Sequence, residues 1–204
     1  CIRVRVVVAV EVGRPLSEAD FASQFGRTNP ESIAGYWGEG TFDAERIAAL
    51  DDLKETAFRR IIAADFPAMP GAVPLIRTLD DAGFFIGLGS SGPPENVDLV
   101  LDRLDARPLF GAVVTGTDVT RGKPDPQVFL LAAERLGVSP ERCVVIEDAP
   151  AGLRAAEAAG MAGVGFTSTG RTRQSLAEAD LVVDALAELS PRVLQELILR
   201  STRE

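Results

Sequence analysis

From residue 71 onward the chain alternates short apolar segments with longer segments whose apolar residues recur every three to four positions. The short segments lie at residues 84–89, 112–115, 143–146, 162–166 and 181–183. The helical patterns lie at residues 73–82, 93–104, 126–136, 151–159 and 185–199. Strands that are apolar throughout and separated by helices are typical of a parallel sheet covered by helices on both faces. The sequence therefore predicts an α/β, Rossmann-like fold with three layers.

Residues 14–70 follow a different pattern, because helical segments succeed one another there with no strand between them. These segments lie at residues 17–25, 30–37 and 43–66. In the third, Ile47, Leu50 and Ile61 belong to one apolar stripe, as an amphipathic helix requires. Prolines 67 and 70 and Gly71 mark a junction where a helix is hard to continue. We expect a small all-helical domain over residues 1–70 and an α/β domain over residues 71–204.

Residues 2–12 support two interpretations. Valines at every second position from Val4 to Val12 give a period-two, β-branched pattern that predicts a strand. The alternative is that this segment is the first helix of the helical domain. That alternative depends on a family resemblance described below.

The composition excludes several kinds of chemistry. The 204-residue chain has no histidine, which excludes Ser-His-Asp and Cys-His relays and histidine metal sites. A net charge of −9 argues against nucleic acid as a partner. No apolar run reaches the roughly 18 residues of a membrane span. The two cysteines, Cys1 and Cys143, are too few for a disulfide framework, so we expect a cytoplasmic protein with reduced thiols. We also expect a monomer.

A first polar motif, Gly89-Ser90-Ser91-Gly92, follows the predicted strand at 84–89. Ligands of open α/β sheets bind at the carboxyl ends of the strands. Hydroxyl groups and free backbone N–H groups in a Gly/Ser turn at a helix start can bind a phosphate. The same motif also suits an ordinary loop and helix cap.

A second motif surrounds Lys123, which lies between Gly122 and Pro124 just before a predicted helix. The chain holds only two lysines, Lys54 and Lys123, among its 21 basic residues. A lysine ammonium is a compact charge that suits a single anionic oxygen. The alternative is a solvated lysine at a turn.

The third motif places Glu147 and Asp148 directly after a predicted buried strand. Two adjacent carboxylates in such a position are costly unless something pairs with them. Their oxygens suit Mg²⁺, which binds one or two carboxylates together with water and phosphate oxygens. Asp148 could instead cap the next helix. For a fourth stretch, residues 115–118, the sequence predicts only a loop.

Taken together these motifs resemble the haloacid dehalogenase-like hydrolase superfamily, in the branch of β-phosphoglucomutases and phosphoglycolate-phosphatase-like enzymes. The resemblance covers residues 13–189. Its most specific parts are Gly122-Lys123-Pro124-Asp125-Pro126 and Val145-Ile146-Glu147-Asp148-Ala149-Pro150-Ala151-Gly152.

The resemblance implies roles for these residues. The serine matching Ser90 binds the phosphoryl group with its neighbours Ser91 and Gly92, the lysine matching Lys123 neutralises it, and Glu147 and Asp148 match the acidic pair that holds Mg²⁺. Residues 14–70 resemble the family's helical cap, in which Arg27 lies in the substrate-facing loop. Asn29 stands where the mutase branch has an arginine, which argues against a mutase. The implied substrate is a small phosphorylated metabolite.

The family's first motif, Asp-x-Asp-Gly, is absent from the sequence. If residues 4–12 are the strand that should carry it, Ala9 and Glu11 stand in place of the two aspartates. If they belong to the first cap helix, the nucleophile strand lies upstream of Cys1. We lean to the second interpretation and expect the chain as given to be inactive. It is then a fragment of a phosphatase-type hydrolase; the alternative is a catalytically inactive relative that binds phosphate or a partner.

Overall fold

The computed structural model describes residues 29–168 and 170–201, which form seven α-helices and five β-strands. In chain order they are α1 (Asn29–Trp37), α2 (Ala44–Ala64), α3 (Ala72–Asp81), β1 (Gly87–Gly89), α4 (Pro94–Arg103), β2 (Ala112–Val114), α5 (Gln127–Leu136), β3 (Val144–Glu147), α6 (Pro150–Ala158), β4 (Ala162–Phe166), β5 (Leu181–Val183) and α7 (Pro191–Ser201). The α/β class predicted from the alternating pattern is confirmed. No helix within these ranges has both the length and the apolar character needed to cross a membrane.

The five strands form two parallel sheets. β1 pairs with β2, with Gly89 opposite Val114. In the other sheet β4 lies between β3 and β5, and Val164 is opposite both Ile146 and Leu181. Within the described ranges no strand joins β1 to β3. The side chains that follow β1 and β3 therefore meet across a boundary between two sheets.

Helices cover both faces of the strands. One apolar cluster packs α5 and α6 against the strands and includes Val145 of β3. A second cluster packs α3 and α7 against the strands and includes the neighbours Val144 and Ile146. Successive side chains of a strand point to opposite faces, so the two clusters lie on opposite sides of β3. This arrangement gives the three layers that the sequence predicts.

Helices α1 and α2 precede the strands, as the helical pattern of residues 30–66 predicts. Ile33 and Leu50 form the buried contact between them, with Trp37, Phe42 and Ile47 packed around it. α2 begins after Asp43, whose carboxylate accepts a hydrogen bond from the Arg46 amide at 2.8 Å. The predicted helix at 17–25 and both interpretations of residues 2–12 lie outside the described residues.

The helix predicted at residues 185–199 is wrong in its first part. The pattern at residues 185–199 predicts a continuous helix, but the chain forms a 3₁₀ turn at Leu186–Glu188 and extended backbone at Leu189 before α7 begins at Pro191. Proline lacks an N–H group and clashes with a preceding helical turn, so it is favoured at the first position of a helix. Pro191 therefore starts α7 rather than lying inside a longer helix.

Candidate active site

Lys123 connects the carboxyl ends of β1 and β3, which belong to different sheets. Its Nζ donates a hydrogen bond to the Gly89 carbonyl oxygen at 3.2 Å and pairs with the Glu147 carboxylate. The same ammonium group lies 4.8 Å from the centroid of the Phe129 ring of α5. The side chain is only 8% exposed, so it is not the solvated lysine of the alternative interpretation.

The Glu147 carboxylate is held on several sides. Besides Lys123, it accepts hydrogen bonds from the backbone N–H groups of Asp148 and Ala149, at 3.2 and 3.3 Å. A Cβ at Gly152, in the first turn of α6, would overlap the carboxylate, so any larger residue there would force the Glu147 side chain to move. A nearly buried carboxylate is costly unless charges and donors compensate it, and these groups do so.

Asp148 contacts a residue that the sequence analysis missed. The buried Ser168 donates from Oγ to Asp148 Oδ2 at 2.6 Å. Ser168 is the second residue after β4 and Asp148 is the first after β3, so the hydroxyl group lies at the same edge of the sheet as the carboxylate. The sequence marks Ser168 only as one of several polar residues after a predicted strand, and nothing local singles out its contact with Asp148.

The Ser90–Gly92 loop is anchored to the adjacent strand β2. The Ser90 amide donates to the Val114 carbonyl oxygen at 2.9 Å, and the Gly116 amide donates to the Gly92 carbonyl oxygen at 2.8 Å. Within the loop, the Gly92 amide donates to Ser90 Oγ at 3.1 Å. The loop leads directly into the N-terminus of α4, an arrangement that favours anions.

The loop after β2, predicted only as a loop, supports the Ser90–Gly92 loop. The Asp118 carboxylate accepts hydrogen bonds from the Thr115 amide and hydroxyl groups, at 2.8 and 2.7 Å, and pairs with Arg135 of α5 at 2.6 Å. The Arg135 hydrogen bond, followed by those from Thr115, lowers the pKa of Asp118 to about 2. A Cβ at Gly116 would lie 2.5 Å from the Ser91 carbonyl oxygen. The two loops therefore approach so closely that a side chain at position 116 would push them apart.

The structure thus brings Ser90, Lys123, Glu147 and Asp148 to one edge. Ser91 and Gly92 lie in the same loop as Ser90, and Arg27 lies outside the described residues. In the described part of the chain, no group of three or more acidic or cysteine side chains is placed to hold a metal. Glu147, which ends β3, and Asp148, which follows it, present carboxylate oxygens of the kind that Mg²⁺ binds together with water and phosphate oxygens.

Comparison with known proteins identifies the family. The family model described as haloacid dehalogenase-like hydrolase matches residues 3–160. The chain is 33% identical over 180 residues to validoxylamine A 7'-phosphate phosphatase of Streptomyces hygroscopicus subsp. limoneus, a match that covers 87% of this chain and 82% of that protein. It is 41% identical over 128 residues to the β-phosphoglucomutase of Bacillus subtilis (strain 168), covering 63% of this chain and 54% of the mutase.

Solved structures give the same answer. A β-phosphoglucomutase from Clostridium difficile superposes with a TM-score of 0.89 at 25% identity, covering 100% of this chain and 91% of that one. CbbY from Rhodobacter sphaeroides, in complex with phosphate, superposes with a TM-score of 0.83 at 26% identity, covering 96% and 91%. The protein belongs to the haloacid dehalogenase-like hydrolase family, and the resemblance inferred from its motifs is confirmed.

Proposed function

We propose that this protein is a Mg²⁺-dependent hydrolase of the phosphatase type, acting on a small phosphorylated metabolite by the family's aspartyl-phosphate route. The observation that supports it best is the position of Lys123. Its ammonium group joins the Ser90 loop to the acidic pair, so an anion bound by the loop would lie next to a buried cation. A relative that acts on validoxylamine A 7'-phosphate and one named hexitol phosphatase A support a phosphorylated sugar or sugar-like compound as the substrate class.

In this proposal the loop residues bind the phosphoryl group. The hydroxyl groups of Ser90 and Ser91 supply donors, Gly92 holds the Ser90 hydroxyl group in place through its amide, and the N-terminus of α4 adds its partial positive charge. Lys123 neutralises charge on the transferring phosphoryl oxygens, while Glu147 fixes the ammonium group in place. Arg27 is proposed to face the rest of the substrate.

Asp148 and Glu147 would hold the magnesium ion. When bound, the ion supplies charge stabilisation for the phosphoryl oxygens and orients them. Ser168 would keep one oxygen of Asp148 fixed by its hydrogen bond. We further propose that the protein is cytoplasmic and monomeric.

The Asp-x-Asp sequence does not occur in the 204 residues, so the chain as given is proposed to be inactive. The test is hydrolysis of an aryl phosphate with excess Mg²⁺ by the purified chain and by Lys123→Ala. We expect both rates to be at background. A rate for the unchanged chain well above that of Lys123→Ala would contradict this part of the proposal.

The second candidate function is a catalytically inactive relative that binds phosphate or a partner, and the missing nucleophile favours it. The gene sequence upstream of Cys1 separates the two candidates. An in-frame Asp-x-Asp there supports the enzyme, whereas a start codon without that motif supports the binding protein. For the enzyme and for a phosphate-binding relative, titration with inorganic phosphate should show binding that Lys123→Ala weakens. No binding by the unchanged chain would contradict both and leave only a relative that binds a partner.

A further inference from the structure

Two charged side chains are buried in the described part of the chain, and the proposed chemistry uses only one of them. Lys123 is 7% exposed and belongs to the candidate site, while Glu55 is 6% exposed and lies in the middle of α2. A buried carboxylate is costly unless it is paired, so its partners show what it does.

The partners of Glu55 form a chain of contacts from α2 to α4. The Asn96 amide group donates from Nδ2 to Glu55 Oε2, and Lys54 Nζ pairs with Oε1. Asn96 Oδ1 in turn accepts a hydrogen bond from Arg59 Nη1 at 3.2 Å. Asn96 is itself 7% exposed. The Asn96 amide therefore both donates to α2 and accepts from it, so the two hydrogen bonds constrain how the helices align.

The position of Asn96 relates this contact to the candidate site. Asn96 is the third residue of α4, and the Ser90–Gly92 loop leads directly into the start of that helix. The other side of the loop is already anchored to β2 through the Ser90 and Gly116 amides. A second contact, from Arg103 Nη2 to the Ala63 carbonyl oxygen at 2.7 Å, joins the far ends of the same helices.

We propose that Glu55 and Asn96 are positioning residues that fix α2 against α4, so that the placement of the helical region sets the placement of the anion-binding loop. A buried ion network adds little net stability compared with apolar packing, but it specifies one alignment. This proposal depends on the proposed function only in taking phosphate as the ligand of the Ser90–Gly92 loop. The mechanical link between Glu55 and the loop can be measured without any ligand.

The test compares Glu55→Gln with Glu95→Gln. Each variant removes one negative charge near the start of α4, but Glu95 is exposed and Glu55 is the residue bonded to Asn96. By charge alone both should bind inorganic phosphate as well as the unchanged chain or better. The positioning role predicts the opposite for Glu55→Gln, with a dissociation constant for phosphate raised about fivefold or more.

Hydrogen exchange supplies the second measurement. In the absence of phosphate, the amides of residues 90–92 should exchange faster in Glu55→Gln than in Glu95→Gln. In the unchanged chain, added phosphate should slow exchange at residues 53–57 of α2 as well as at residues 90–92. This last result needs no variant and therefore decides the case if Glu55→Gln does not fold.

Equal phosphate affinity and equal loop exchange in the two glutamine variants overturn the proposal, as does phosphate protection confined to residues 90–92. If the unchanged chain binds no phosphate, the proposed function fails. The link between α2 and the loop is then judged by exchange in the two variants, where a faster loop in Glu55→Gln alone supports it.

Discussion

The ammonium group of Lys123 and the carboxylate of Glu147 form an ion pair whose side chains are only 8% and 11% exposed. Lys123 lies beyond β2 and Glu147 ends β3, so the pair links two segments that no strand of the described residues joins. Because little water reaches either charge, each depends on the other far more than the members of a surface pair do. This dependence gives the first prediction.

Lys123→Met should lower the free energy of unfolding by about 3 kcal/mol, because it leaves the Glu147 carboxylate without its cation. The double variant Lys123→Met/Glu147→Gln removes both charges and should recover most of that loss. Urea denaturation of the three proteins measures both effects. A single variant as stable as the unchanged chain would show that the pair is not needed.

Gly152→Ala should displace the Glu147 carboxylate, because the new Cβ would overlap it. The carboxylate cannot move freely, since Lys123 and the Asp148 and Ala149 amides hold it. We expect a loss of about 2 kcal/mol in the free energy of unfolding. Gly163→Ala is the control, because its Cβ would lie 3.5 Å from the nearest atom, an ordinary contact. Similar losses in the two variants would argue against the overlap.

Asp118→Asn should destabilise the protein in a pH-dependent way. The pKa of Asp118 is lowered to about 2 in the folded chain, so its contribution is full above about pH 5 and is lost as the pH falls through 4 toward 2. At pH 7 we expect a loss of about 1 kcal/mol, which shrinks below pH 4. Denaturation midpoints across this range provide the measurement.

The matched control for that series is Asp98→Asn. The Asp98 carboxylate pairs with Arg107, but both side chains are 52% exposed. An exposed pair contributes little, so the variant should unfold like the unchanged chain at every pH. A pH-independent loss in Asp118→Asn would place its effect outside the ionisation of the carboxylate.

Ser168→Ala should weaken Mg²⁺ binding, because Asp148 Oδ2 loses the hydrogen bond that orients it. Loss of such a supporting contact typically costs about tenfold or more in metal affinity. Calorimetric titration with Mg²⁺ tests this, with Ser139→Ala as the control at an exposed serine. An unchanged dissociation constant in Ser168→Ala would exclude Asp148 in this orientation as a ligand.

Strands and helices that alternate regularly were predictable to within a few residues. β4 and β5 fall at the predicted residues 162–166 and 181–183. The apolar run of β5 lies between Asp180 and Asp184, and that of β4 begins shortly after Gly160 and ends at the polar Thr167. The strand predicted at 84–89 shortens to Gly87–Gly89. Pairing determines strand length, and only three residues of β1 have partners in β2.

The part of the candidate site that comes from short polar motifs after predicted strands could be predicted from the sequence. Lys123 contacts Glu147 and the Gly89 carbonyl oxygen beside Ser90, because the carboxyl ends of parallel strands lie at the same edge, and the roles of these residues stay predictions. Ser168 and the pair formed by Glu55 and Asn96 were not found. Each of them depends on a partner 20 or 41 residues away in the chain, and no local pattern indicates such a contact.

The groups of the candidate site come from two sets of strands. The Ser90 loop and Lys123 belong to the half that contains β1 and β2, and the acidic pair belongs to the half built around β4. Among the described residues, no strand joins β1 to β3, so a ligand that contacts both the Ser90 loop and the acidic pair would also bridge these two strands. Ligand binding should therefore also stabilise the position of β1 relative to β3.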